Sequence, residues 1–169
     1  MTKYKELLQA DEKATQAFKD YERDCKVFIR KLRNNLVEFL ECPNNKVIWA
    51  KFSDSTLSTF EQEDGFLECA VNRMMILFDD NYYTFEIKIL LSPDNDISSN
   101  AVGLRFKVKK LDECFVVHHD KDDISVHEGS QKEMNDLIEF IFKGMKTFLG
   151  TRFDDFIKGE QSSLGFIKT

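Results

Sequence analysis

Three histidines near the end of the sequence are the residues whose type and spacing could bind a metal ion. His118, His119 and His127 surround a turn rich in aspartate. With a four-residue turn, His119 lies opposite Ile124, and His118 and His127 become diagonal neighbours about 7–8 Å apart. Two imidazoles at that spacing could share Zn²⁺ or Ni²⁺ with a carboxylate. His118 and His127 are therefore the candidate metal ligands.

A second interpretation of the same hairpin needs no metal. Phe115, Val117 and Val126 alternate with the polar residues, so they are expected to face the core and leave His118 and His127 on a solvent face. Histidines on an exposed hairpin are common. We favour this interpretation and predict no metal site.

The other chemically active residues show no catalytic pattern. Cys25, Cys42, Cys69 and Cys114 lack CxxC spacing, which favours separate reduced thiols. Cys25 lies on the apolar stripe of a predicted helix and is expected to be a core residue. Acidic turns, such as 79–80 and 120–123, lack the calcium-loop spacing.

Motifs for nucleotide cofactors and for hydrolysis are also missing from the sequence. The seven glycines form no GxGxxG and no phosphate-binding loop, and neither GxSxG nor HExxH occurs. We predict no catalytic residues and no cofactor. A basic stripe at Arg105, Lys107, Lys109 and Lys110 could meet an acidic partner or acidic loops of the same chain, and the sequence does not separate these alternatives.

A long amphipathic helix is predicted over residues 3–42. Its apolar or small residues recur every three or four positions, at Ala14, Phe18, Tyr21, Cys25, Phe28, Leu32, Leu36 and Phe39. At about 1.5 Å per residue such a helix would be roughly 57 Å long, which exceeds the width of a compact domain of this size. Three alternatives would accommodate this length: the polar first turns fray, the helix breaks, or its outer part packs on another chain. The predicted interaction surface is Phe18, Tyr21, Phe28 and Leu32.

A run of predicted strands follows the helix. Residues 82–91 and 102–109 alternate clearly between apolar and polar side chains, and residues 47–52, 114–119 and 124–127 complete the clearer set. Residues 66–78 are almost continuously apolar, so a buried strand, two strands or a helix remain open. Short turns between successive strands favour an antiparallel meander of five to seven strands.

Helices are predicted to close the chain. Ser130 and Glu133 have the spacing of a capping box, and apolar residues from Met134 to Leu149 follow helical spacing. Gly150 is expected to end this helix. Thr151 is expected to cap a shorter helix that ends near Gly159.

These elements predict one α+β domain over residues 1–169. It has an N-terminal helix in residues 1–43, an antiparallel sheet in 46–128, one long and one short helix in 130–159, and a tail in 160–169 that is loose apart from Leu164, Phe166 and Ile167. The net charge of −6 and pI near 5.2 disfavour nucleic acid and anionic membranes as partners. No signal peptide or spanning segment is evident, so a cytoplasmic location is expected.

The element order is similar to that of the acidic mitochondrial matrix protein family. Members of that family form ring-shaped trimers and bind other proteins. The similarity covers a long first helix, an antiparallel meander and closing helices in an acidic chain. It implies an oligomeric binding protein without catalysis.

Two classes of function are consistent with these features. The first is a non-enzymatic protein-interaction module, an oligomeric adaptor or chaperone-like protein, which the long helix and the 16 phenylalanines favour. The alternative is a small-molecule binder, even an enzyme, of helix-grip or cone-like type. Its cavity would be lined by residues 74–78 and 140–148. We favour the first, with a protein partner and self-association.

Overall fold

The computed structural model describes residues 2–50, 76–77, 81–91, 101–119, 121–158 and 166–167. The elements run as follows: α1 (Lys3–Phe39), a single 3₁₀ turn (Asn44–Lys46), β1 (Val47–Ala50), β2 (Ile76–Leu77), β3 (Tyr83–Leu90), β4 (Ala101–Leu111), β5 (Cys114–His119), β6 (Asp122–His127), α2 (Gln131–Lys158) and β7 (Phe166–Ile167). The α+β prediction is confirmed. Residues 51–75, including Cys69 and most of the ambiguous run, lie outside the described part.

The sheet is antiparallel and follows the order β1-β3-β4-β5-β6. Opposite residues share a face, so Phe85 pairs with Phe106 and Val108 with Val117 on the buried side. β2 pairs with β3 beyond the end of β1, and β7 pairs with β4. Phe166 and Ile167, two of the residues expected to be exceptions in the loose tail, join the sheet as β7.

The core lies between this sheet face and the two helices. Phe28 of α1 stacks on Phe115 of β5, with ring centroids 4.3 Å apart. Phe39 of α1 meets Phe142 of α2 edge to face at 5.4 Å. Leu137, Ile138 and Ile141 of α2 are fully buried in the same cluster, so both helices cover one face of the sheet.

α1 is one continuous helix of 37 residues. The Thr2 hydroxyl accepts a hydrogen bond from the Lys5 N–H at 3.4 Å, which caps its start. Only its C-terminal half is buried: Cys25 is the first buried residue and Val37 the last. The break considered from the sequence is absent from this helix.

α2 corrects the prediction of two closing helices. It continues for 28 residues through Gly150 to Lys158. Thr151 does not cap a new helix, because its hydroxyl donates to the carbonyl of Thr147 one turn earlier at 3.1 Å. A glycine inside a helix costs only about 1 kcal/mol relative to alanine. Burial of the preceding Met145 and Phe148 in the core supplies the packing that carries the helix past this position.

A buried arginine ties α1 to the first strand. Arg33 donates from Nε and Nη2 to the carbonyl of Val47, at 3.0 and 2.7 Å, and from Nη2 to that of Asn44 at 2.8 Å. Burial lowers the pKa of its guanidinium. These bonds fix the turn by which the chain leaves α1 and enters the sheet.

Candidate functional site

The hairpin holds the three histidines in a register that differs from the predicted one. His119 lies opposite Asp122 and His118 opposite Asp123, so the turn has two residues rather than four. His127 pairs instead with Cys114 at the other end of the hairpin. It is therefore four residues, about 13 Å, beyond the partner of His118. The predicted diagonal contact between His118 and His127 is wrong.

Each histidine has a local partner of its own. His118 Nδ1 lies 2.7 Å from Asp123, and His127 Nδ1 lies 3.0 Å from Glu133. His119 is buried against Phe106, and its Nδ1 contacts the carbonyl of Arg105 at 2.9 Å. Within the described ranges no three potential ligands cluster around a common point. The geometry therefore assigns these histidines to hairpin and helix-cap contacts.

Glu133, in the first turn of α2, explains why His127 lies against the start of this helix. The Ser130 hydroxyl accepts from the Glu133 N–H at 3.4 Å, which is half of the predicted capping box. The Glu133 carboxylate does not turn back to Ser130. It accepts from the His127 backbone N–H at 2.6 Å, and this bond, followed by that to the imidazole, lowers the pKa of Glu133.

Residues of the basic stripe form ion pairs and a cation–π contact within the chain. Lys110 lies on the core side of the sheet and pairs with Asp24 at 2.8 Å and Glu128 at 3.2 Å. Arg105 lies on the other side, 3.5 Å from Glu86. Lys109 lies over the ring of Tyr82, 4.3 Å from its centroid. Of the two alternatives left open, these contacts favour intramolecular partners.

The cysteines that the structure describes are unpaired. Cys25 is fully buried, and burial raises its pKa to about 11. Cys42 and Cys114 are half-buried thiols. A thiol with a raised pKa is a poor nucleophile, so Cys25 acts as a core residue, in agreement with its place on the stripe.

The predicted interaction surface is divided by the fold. Phe28 and Leu32 belong to the chain's own core, so they offer no surface to a partner, and the prediction is corrected there. Tyr21 is partly buried and packs beside Tyr83, with ring centroids 5.9 Å apart. Phe18 is 66% exposed.

The exposed stripe continues from Phe18 toward the start of α1. Tyr4 is 69% exposed, Leu7 70% and Leu8 44%. All side chains from Thr2 to Lys19 are exposed, so this half of α1 is not covered by the sheet, and we call it the projecting half. We call its apolar face, formed by Tyr4, Leu7, Leu8 and Phe18, the projecting stripe. Sequence reasoning missed its first three residues because the surrounding positions are polar, although their spacing continues the helical periodicity.

An open groove lies where the projecting half of α1 meets the sheet. Its volume is about 380 Å³. The wall includes Ala14, Phe18, Glu22 and Tyr83. It therefore joins the projecting stripe to the edge of the folded body. Apolar and acidic groups both reach it.

A smaller cavity lies between α1 and the β5–β6 hairpin. It measures about 120 Å³ and includes Phe28, Phe115 and Met134 in its wall. Ligand pockets usually measure roughly 300–1,000 Å³. The cavity is therefore too small for a typical small-molecule ligand.

Comparison with protein-family models, with curated proteins and with solved structures finds no match. The similarity to the acidic mitochondrial matrix protein family therefore remains a prediction from element order. Neither α1 nor α2, the helices in the described residues, combines the length and apolar character needed to cross a membrane.

Proposed function

We propose that this chain is a non-enzymatic, intracellular protein-interaction module, an oligomeric adaptor or chaperone-like protein that binds protein through the projecting stripe of α1. The observation that carries the proposal is the exposure of Tyr4, Leu7, Leu8 and Phe18 on one face of the half of α1 that its own sheet does not cover. The small-molecule alternative has less support, because the smaller cavity of about 120 Å³ is below the usual ligand volume and the groove of about 380 Å³, although within that range, is open.

The energetics of the projecting half support a bound partner. A helix of this length without tertiary contacts is only marginally stable in water. Burying apolar surface against a partner contributes a free energy of about 25 cal/mol per Å². This free energy would stabilise both the helix and the complex. Exposed apolar patches of this kind commonly mark interaction sites.

The polar residues of the same segment favour a protein over a membrane or nucleic acid. Lys3 and Lys5 lie at one end, and Asp20, Glu22 and Asp24 lie where α1 enters the body. Both signs are therefore present along one helix. A uniformly basic face is what anionic lipids or phosphates would select.

Size-exclusion chromatography with light scattering tests the proposal. Wild-type protein at high concentration is expected to exceed its monomer mass of 19.8 kDa. Leu7→Asp and Phe18→Asp, each placing a charge on the stripe, are expected to return it to the monomer. Gln9→Asp, on the opposite side of the same turns, is the matched control and should behave as wild type.

Either of two results would count against the proposal. A wild-type monomer at every concentration would remove self-association through the stripe. An oligomer that Leu7→Asp and Phe18→Asp leave unchanged would assign assembly to another surface.

A further inference from the structure

We infer that the projecting stripe is covered by a second copy of this chain, with the two projecting halves of α1 packed antiparallel so that Leu7 of each copy lies opposite Phe18 of the other. This inference rests on the proposed function and names its partner and geometry. It follows from the repeat, the charges and the dimensions of the projecting half.

The stripe has a seven-residue repeat that matches itself in the antiparallel direction. Tyr4, Asp11 and Phe18 occupy one core position of the repeat, and Leu7, Ala14 and Tyr21 the other. Antiparallel helices pair one core position with the other, whereas parallel helices pair each position with itself. One register matches Leu7 with Phe18 and Asp11 with Ala14, and it brings Tyr4 to the level of Tyr21, whose ring packs beside Tyr83 of its own chain. Each large apolar residue then meets another, and the carboxylate meets a methyl group.

The charges along α1 favour antiparallel over parallel pairing of the two copies. In a parallel pair, Asp11 would face Asp11 of the second copy, and two like charges in a partly dry seam repel. In the antiparallel pair, the lysines of the first turn approach the acidic turn that contains Asp20 and Glu22, whose carboxylates also pair with Arg23 and Lys26 of their own helix.

The dimensions also suit the antiparallel direction. The exposed segment, residues 3–19, is about 26 Å long at 1.5 Å per residue. Antiparallel pairing places the two folded bodies at opposite ends of this segment, where they do not compete for space. It also brings Tyr4 of the second copy to the groove beside Phe18, Glu22 and Tyr83. The groove offers apolar walls to the ring and a carboxylate to the hydroxyl.

The surface area buried between the two copies indicates how tightly the dimer is held together. Covering two aromatic rings and two leucines per copy, with their neighbours, buries on the order of 1,000 Å² in total. That value lies near the lower limit for specific complexes. The dimer is therefore expected to dissociate on dilution.

Cysteine cross-linking tests the register. Leu7→Cys and Phe18→Cys proteins, one of them tagged, are mixed, oxidised mildly and weighed by mass spectrometry. The antiparallel pair is expected to give the mixed 7–18 disulfide, with at least tenfold less 7–7 product from Leu7→Cys alone. Gln9→Cys mixed with Phe18→Cys is the geometric control, and wild type gives the background from the native thiols.

The outcomes separate this inference from the proposed function. A dominant 7–7 disulfide would show parallel pairing and overturn the inference, while the stripe would remain the interface. A dimer that Leu7→Asp dissociates but that forms no 7–18 disulfide would overturn only the inferred register. A wild-type monomer at every concentration would contradict both.

Discussion

The hydroxyl of Tyr21 accepts a hydrogen bond from the backbone N–H of Lys110 at 3.3 Å, which joins α1 to β4. The same hydroxyl donates to the carbonyl of Asn81 at 3.3 Å. Residues beyond this point, from Cys25 onward, pack on the sheet, whereas Phe18, one turn earlier, is exposed. Tyr21 therefore marks the boundary between the folded body and the projecting half of α1.

Replacement of Arg33 by methionine is expected to destabilise the fold. The substitution removes the guanidinium bonds to the carbonyls of Val47 and Asn44, of which Asn44 keeps the Val47 N–H as a donor, and loss of a buried partner costs about 1–3 kcal/mol. We expect the free energy of unfolding in urea to fall by about 2–4 kcal/mol. Arg23→Met, at an exposed ion pair with Asp20, is the control and should change it by less than about 1 kcal/mol. Equal stabilities of the two variants would contradict the anchoring role of Arg33.

Replacement of Glu86 by glutamine is expected to stabilise the protein at neutral pH. Burial raises the pKa of Glu86 above its usual value of 4.5, in spite of the nearby Arg105. The folded state therefore holds its proton more tightly than the unfolded state, so wild-type stability decreases as pH rises from 4.5 through the folded pKa. The variant lacks this loss and should gain about 1 kcal/mol at pH 7.

Unfolding in urea at a series of pH values checks the effect of Glu86. The difference between Glu86→Gln and wild type should shrink as the pH falls toward 4.5, because wild-type Glu86 is then protonated as well. Glu38→Gln, at an exposed position on α1, serves as the control. A difference that is constant with pH would show that packing, rather than ionisation, causes the effect.

Cys25 is expected to resist alkylation in the native protein. It is fully buried and its pKa is raised to about 11, so little thiolate is present or accessible at pH 8. Iodoacetamide followed by peptide mass spectrometry should label the half-buried Cys42 and Cys114 first, and Cys25 only after denaturant is added. Native labelling of Cys25 at the rate of Cys114 would contradict its assignment to the core.

Local periodicity predicted most elements of this fold. The alternation in residues 82–91 and 102–109 led to β3 and β4 within two residues, because apolar side chains recur at every second position along the core face of each strand. The repeat in residues 3–42 led to α1. These patterns arise from residues that are close in sequence, so they can be recognised without knowledge of the tertiary fold.

Features that depend on distant contacts were not predictable in this way. The hairpin turn differs by two residues from the predicted one, and a shift of two preserves which side chains face the core, so the pattern alone could not detect it. Gly150 is a usual helix terminator, yet packing carries α2 through it.

Of the residues proposed as the interaction surface, the sequence singled out Phe18 but not Tyr4, Leu7 or Leu8. Phe18 and Phe28 look alike in the helical repeat, but only the position of the sheet decides that one is exposed and the other is core. Tyr4 and Leu7 continue the repeat among polar residues, and only their exposure in the fold distinguishes them. The boundary at Tyr21 depends on Lys110, which lies 89 residues away in sequence.

Amide hydrogen exchange of residues 3–19 at low and high protein concentration tests the central claim most directly. The projecting half of α1 should exchange rapidly when dilute, since an uncovered helix is marginally stable, and slowly when concentrated, since a bound copy covers it. Residues 25–37, buried in the core, serve as the internal control and should not change. Exchange of residues 3–19 at one rate across all concentrations would contradict a partner-bound projecting stripe.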